Sequence, residues 1–135
     1  MNALGVVELK AFVPARDFAL SKRFYRSLGF TQKSEGGGVA YFHYGSCAFL
    51  LQDFYTKEFA ENCVMHLQVQ DVREWFSHVR TADLAGMFGV QVTPLVDQPW
   101  GMTEFVVIDP SGVCWHIAQN IPGFQPVGRF PENNP

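Results

Sequence analysis

The side chains of this chain that could serve a ligand or a reaction fall in its second half: His66, Trp100, Glu104, Cys114 and His116. Imidazoles move protons and ligate metals near neutral pH, a thiol can act once ionised, and an indole offers a flat π face. In Val64-Met65-His66-Leu67-Gln68 the two-residue period of a strand puts Val64, His66 and Gln68 on one face. The same period groups Cys114 with His116 and leaves Trp115 and Ile117 to pack under a helix. Glu104 is the one carboxylate expected near them. Whether it points in depends on hairpin register, because a slip of one residue exchanges it for Phe105; a solvated strand-end carboxylate is the plainer reading. Trp100, held between Pro99 and Gly101, is either a lid over core or a stacking surface.

Chemistry that needs more than these groups is not visible. The chain has no phosphate loop, no nucleophile elbow, and no Cys or Ser in an activating local sequence. A metal site improvised from His66 and His116 has two imidazoles and no carboxylate in view, a poor set for oxygen-loving ions, and a lone inward His is more often a hydrogen-bonded core residue. Cys114 reads as small wall packing. His43, on a strand near a turn, and His78, on a helix surface, join no constellation.

The elements that must position these groups follow from spacing. Val6 to Val13 reads as a strand, and Asp17 caps a helix running to Leu28, with Leu20, Phe24 and Leu28 on its inner face and Gly29 ending it. Phe30–Ser34, Val39–Tyr44 and Cys47–Gln52 read as short strands separated by glycine turns. Asp53 to Asn62 reads as a polar linker. Cys63–Gln70 is then a strand, and Asp71 caps a second helix to about Ala82, in which Val72, Trp75, Phe76 and Val79 face inward and the Trp packs on the back of a sheet. Asp83 to Phe88 has no counterpart in the first half, and Val90–Val96 reads as a strand. Glu104–Ile108 and Val113–Ala118 form a hairpin about Asp109-Pro110-Ser111-Gly112. The order is therefore strand, helix and three strands, twice over: a mixed α/β chain of two βαβββ modules with a curved, mostly antiparallel sheet and helices outside. The expected organisation is one domain over 1–135, with modules at about 5–53 and 63–120 and an extended tail over 121–135, where proline and glycine preclude regular structure and Phe124 and Phe130 could anchor to a neighbour.

Composition narrows the classes. Hydrophobic residues make up 47% and charged ones 17%, with a net charge of −3 and no basic stripe, which disfavours nucleic acid. No apolar run has membrane-spanning length and no signal-like segment opens the chain, so the cytoplasm is the expected location. Cys47, Cys63 and Cys114 are odd in number and widely spaced, which suggests reduced thiols. Aromatic residues reach 15%, including 13 Phe, more than a compact core of this size requires, so some are expected to line a cavity or an interface.

Arg16-Asp17, Phe24-Tyr25, Leu28-Gly29-Phe30, Gln98-Pro99-Trp100-Gly101, Glu104-Phe105 and Asp109-Pro110-Ser111-Gly112 occur in an order that resembles the vicinal oxygen chelate superfamily of glyoxalases, extradiol dioxygenases and bleomycin resistance proteins. The last block, with Cys114, His116 and Ala118-Gln119-Asn120, is most similar to bleomycin resistance proteins. The resemblance implies a divalent metal in the enzymes of the superfamily, but the matching positions here hold Lys10, Val64 and Phe49 or Leu51, with His116 alone on a ligand position; an amine and an isopropyl group do not coordinate. It therefore implies a non-catalytic binder of bleomycin-type antibiotics that acts by sequestration in an aromatic cleft, without cofactor. Ligand contacts are expected from Trp100, His116, Cys114, Glu104 and His66. Two alternatives stand beside it: a metal-dependent lyase, isomerase or dioxygenase with unusual ligands, and a binder of another planar metabolite. Unpaired apolar sheet edges, with clefts built between two chains in the resembled resistance proteins, imply a homodimer.

Overall fold

The computed structural model describes residues 4–124, so the expectations for the tail beyond Phe124, Phe130 included, lie outside the described residues. The first half of the chain holds β1 (Phe12–Pro14), α1 (Phe18–Leu28), β2 (Thr31–Gly36), β3 (Val39–Tyr44) and β4 (Cys47–Gln52). After α2 (Lys57–Asn62), the second half holds β5 (Val64–Gln68), α3 (Val72–Thr81), α4 (Leu84–Phe88), β6 (Val96–Asp97), β7 (Met102–Ile108) and β8 (Cys114–Asn120). These make two four-stranded sheets with the same internal order, β1-β4-β3-β2 and β5-β8-β7-β6. In each, the first strand runs parallel to the last and the other neighbours are antiparallel. The helices lie outside the sheets and, among the described residues, leave each sheet one face that no helix covers.

Local chemistry sets the helix ends as expected. The Asp17 carboxylate accepts the Leu20 N–H at 3.0 Å, and Gly29, at φ 128°, donates its N–H to the Tyr25 and Arg26 carbonyls. Asp71 accepts from the N–H groups of Arg73 and Glu74, each at 3.1 Å. Ser21, Phe24, Tyr25 and Leu28 form the buried stripe of α1, with Leu20 at its flank.

Four expectations change, each for a physical reason. The first strand pairs only over Phe12–Pro14; among the described residues no strand pairs with those before it, and Leu4, Val6, Val7 and Leu9 are 85–100% exposed. Asp53 to Asn62 is not all linker: the Thr56 hydroxyl accepts the Phe59 N–H and starts α2, six residues long and too short for a helical period to show. The strand expected over Val90–Val96 shrinks to Val96–Asp97 and an isolated bridge from Val92 to Val107, because Pro94 has no N–H to give a ladder. Trp75 does not lie on the back of its own sheet. Phe76 does that, edge-on to Phe105 at 5.1 Å, while Trp75 reaches across to Tyr44 of the first half at 5.3 Å.

The core crosses between the halves. Tyr25 lies among Phe42, Phe49 and Trp115, and its hydroxyl donates to the Asp109 carboxylate while accepting the Trp115 indole N–H at 2.8 Å. The other Asp109 oxygen accepts the N–H groups of Ser111 and Val113, and the Ser111 hydroxyl accepts the Arg16 N–H at 2.8 Å. The Asp-Pro-Ser-Gly turn is therefore also a buried polar joint onto α1 and its approach. α4 adds a second joint: Leu84 is fully buried and Phe88 meets Phe24 edge-on at 5.4 Å.

Burial pushes the Tyr25 phenol well above its ordinary range, with the neighbouring Asp109 carboxylate adding to the effect. A group whose folded pKa is raised contributes stability that is complete below its unfolded pKa, near 10, and is lost as pH rises beyond it. The wild type should thus lose up to about 1.4 kcal/mol per pH unit through this group above pH 10. Urea melts of wild type and Tyr25→Phe across that window should show the steeper decline in the wild type; parallel declines would contradict the assignment.

Candidate binding site

The uncovered face of the second sheet gathers the residues singled out by type. β5 pairs with β8 so that His66 lies opposite His116 and Val64 opposite Cys114, and the two imidazoles stand nearly parallel, 6.4 Å apart at an angle of 13°. β7 pairs with β8 so that Val106 lies opposite His116 and Glu104 opposite Ala118, which settles the register: Glu104 shares the face of His116, and Phe105 goes to the covered side with Ile117. Glu104 is not a solvated strand-end carboxylate. It is 4% exposed, its Oε2 lies 3.1 Å from His116 Nδ1, and it accepts from the Gln98 side chain at 3.4 Å. A buried carboxylate beneath Nδ1 selects the tautomer that carries a proton there, which turns Nε2 of the part-exposed His116 ring into the group available to a ligand.

Cys114 lies on the same face. Burial raises its thiol, and the Glu104 charge raises it further, so it remains protonated and packs as a small wall residue. Cys63 is raised likewise by burial and then by Asp109, whereas Cys47 is exposed. Titration with a disulfide reagent at neutral pH should therefore label Cys47 first, with Cys63 and Cys114 reacting slowly. A fast Cys114 would mark it as a nucleophile and overturn its reading as packing.

Trp100 stands two residues ahead of β7, in the turn that closes β6 onto it, and is 58% exposed. It is not a lid over core. The turn is fixed from behind, where Gly101, at φ 95°, accepts the Ile121 N–H on its carbonyl and has the Phe124 ring against its Cα. Any Cβ at position 101 would fall 2.3 Å from that ring, so glycine is required there.

The first sheet contributes a group that the reading by residue type passed over. Tyr41 lies on its uncovered face, donates to Glu8 at 2.8 Å, and has the ammonium groups of Lys10 and Lys33 at 5.3 and 5.7 Å from its ring. The alternation of Val39, Tyr41 and His43 against buried Ala40 and Phe42 carried this signal. Nothing in the spacing marked Glu8. The structure brings His66, Glu104, Cys114 and His116 together on one face, places Trp100 at the end of that sheet, and leaves His43 and His78 outside the group; the His78 ring bonds the Ser27 carbonyl.

The family model of the Glyoxalase/Bleomycin resistance protein/Dioxygenase superfamily matches residues 7–117. The chain belongs to this superfamily. Among solved structures the chain is similar to a bleomycin-binding protein complexed with bleomycin, at 21% identity and TM-score 0.71, covering 85% of this chain and 99% of that one. It is similar to the bleomycin-binding protein of Streptomyces verticillus complexed with copper(II)-bleomycin, at 24% identity and TM-score 0.71, over 85% and 97% of the two chains. It is also similar to a lactoylglutathione lyase of Agrobacterium tumefaciens, at 17% identity and TM-score 0.63, over 92% and 100%. Among curated proteins none matches the chain in sequence.

The metal that enzymes of the superfamily hold does not suit the residues at its positions here. Lys10 is spent on Glu8 at 2.9 Å and Val64 offers an exposed isopropyl group, which leaves His116 as the one residue of ligand type at those positions. Among the described residues no three His, Cys, Asp or Glu side chains converge as a metal site.

Proposed function

We propose that this member of the superfamily binds a planar, cationic small molecule of the bleomycin class and sequesters it unchanged, in a cleft built where the uncovered sheet faces of two copies meet. The observation that carries the reading is Trp100, a large indole held out by a rigid turn beside a sheet face that no helix covers. An exposed indole of that kind stacks on flat heteroaromatic rings and attracts positive charge. His116, aimed by buried Glu104, supplies a hydrogen bond from the sheet face, and His66 and Cys114 complete that wall. Two bleomycin-binding neighbours at fold level support the class of ligand.

The apolar arm of Leu4, Val6, Val7 and Leu9 supports the second copy. Burying one such side chain is worth roughly 1.5–3 kcal/mol, and a chain alone leaves all of them in water. Sedimentation at tens of micromolar should show a dimer, and removal of residues 1–9 should give a monomer. A monomeric wild type would contradict the shared cleft.

One observation favours a second reading, an acid–base enzyme: the Glu104–His116 pair is also how an imidazole base is oriented. Mass analysis of bleomycin recovered after long incubation decides between them. Unchanged compound supports sequestration, and a time-dependent product that disappears in His116→Ala replaces it with the enzyme.

A further inference from the structure

We propose that the seam between the two halves, on the helix side of the sheets, is a second binding site, for a compact organic ammonium cation. Tyr44, at the end of β3, and Trp75, on α3, meet there with ring centres 5.3 Å apart and planes tilted by 49°. Gly29 forms the floor: a Cβ at that position would lie 3.5 Å from the Tyr44 ring and 3.9 Å from the Trp75 ring, so both rings rest against bare backbone. Two adjoining hollows of about 300 Å³ each open on this pair and share Tyr44, Glu74 and Trp75 as a common wall, a size at the lower end of small-molecule sites.

The charges lining the seam select the sign of the ligand. Glu74 lines both hollows, and among the described residues its carboxylate has no hydrogen-bond or ion-pair partner. Asp71 adds a second carboxylate, already engaged in capping α3. Neither hollow has a Lys or Arg in its lining, and the His78 ring is turned to the Ser27 carbonyl at 3.0 Å. An anion would meet carboxylates and π faces there. A quaternary or alkylated ammonium would meet two electron-rich ring faces and a carboxylate, the arrangement that binds such cations in water. Tyr44 is 49% exposed, so the entrance is open in the chain as it stands. This site lies on the covered side of the sheets, away from Trp100 and His116, and does not depend on the drug-binding reading.

The test is an NMR titration of the full chain, following the Trp75 indole N–H with choline and with its neutral carbon isostere, dimethylbutanol. Choline should saturate in the millimolar range and the isostere should bind about fivefold more weakly. Glu74→Gln and Tyr44→Leu should each weaken choline by about threefold or more, while Trp100→Ala leaves the response intact. Equal binding of the isostere, or no shift of the Trp75 signal with choline up to about 50 mM, overturns the proposal, as does unchanged affinity in Glu74→Gln.

Discussion

Replacing Tyr25 with Phe is expected to destabilise the fold by about 2–4 kcal/mol, although one oxygen is all that is removed. That oxygen is bonded on two sides in the core: it donates to Asp109 and accepts from the Trp115 indole. Without it a carboxylate and an indole N–H remain buried and short of partners, and an unmade buried hydrogen bond costs about 1–3 kcal/mol, more for a charged group. Burial already raises the Asp109 carboxyl, and the Tyr25 bond is the largest influence opposing that rise. The variant should therefore hold Asp109 protonated to higher pH than the wild type does. Denaturant melts at neutral pH check the expectation; a loss below about 0.5 kcal/mol would mean that water or a neighbour satisfies the orphaned groups, and that the joint between the halves is apolar packing alone.

That joint shows where reading by residue type reaches its limit. Asp109-Pro110-Ser111-Gly112 is legible as a turn because turn chemistry is local, and the caps at Asp17, Gly29 and Asp71 are legible for the same reason. The partnership of Asp109 with Tyr25 spans 84 positions and leaves no periodic trace. The face on which Glu104 lies cannot be read from a strand's period of two, and the pairing of β7 with β8 resolves it. Trp75 fits the inner stripe of its helix by spacing, yet its ring meets Tyr44 of the first half, a partner 31 positions away that helical spacing does not register. The apolar run before Phe12 has the composition of a strand, but a strand needs an edge to pair with, and among the described residues none pairs with it.

Replacing Trp100 with Ala is expected to cost about 2 kcal/mol in ligand binding, roughly thirtyfold in affinity, with little change in stability. The separation of the two effects follows from exposure. A side chain that is 58% exposed contributes little to the core, so the melt should stay within about 0.5 kcal/mol of wild type. A ligand stacked on the indole would lose most of its best-fitted surface. The opposite pattern, a fold destabilised with affinity kept, would return Trp100 to the role of a structural lid. Gly101→Ala is a useful companion, because the added methyl meets the Phe124 ring and displaces the turn that presents the indole. It should weaken binding with Trp100 still in place.

Isothermal titration calorimetry of wild type and Trp100→Ala with bleomycin, a readout that does not depend on the indole being replaced, checks whether this chain holds a bleomycin-class compound at Trp100. Binding there gives a saturable heat in the wild type and a curve displaced about thirtyfold in the variant. No saturable change in the wild type at high micromolar bleomycin, or the same curve for both proteins, would contradict it.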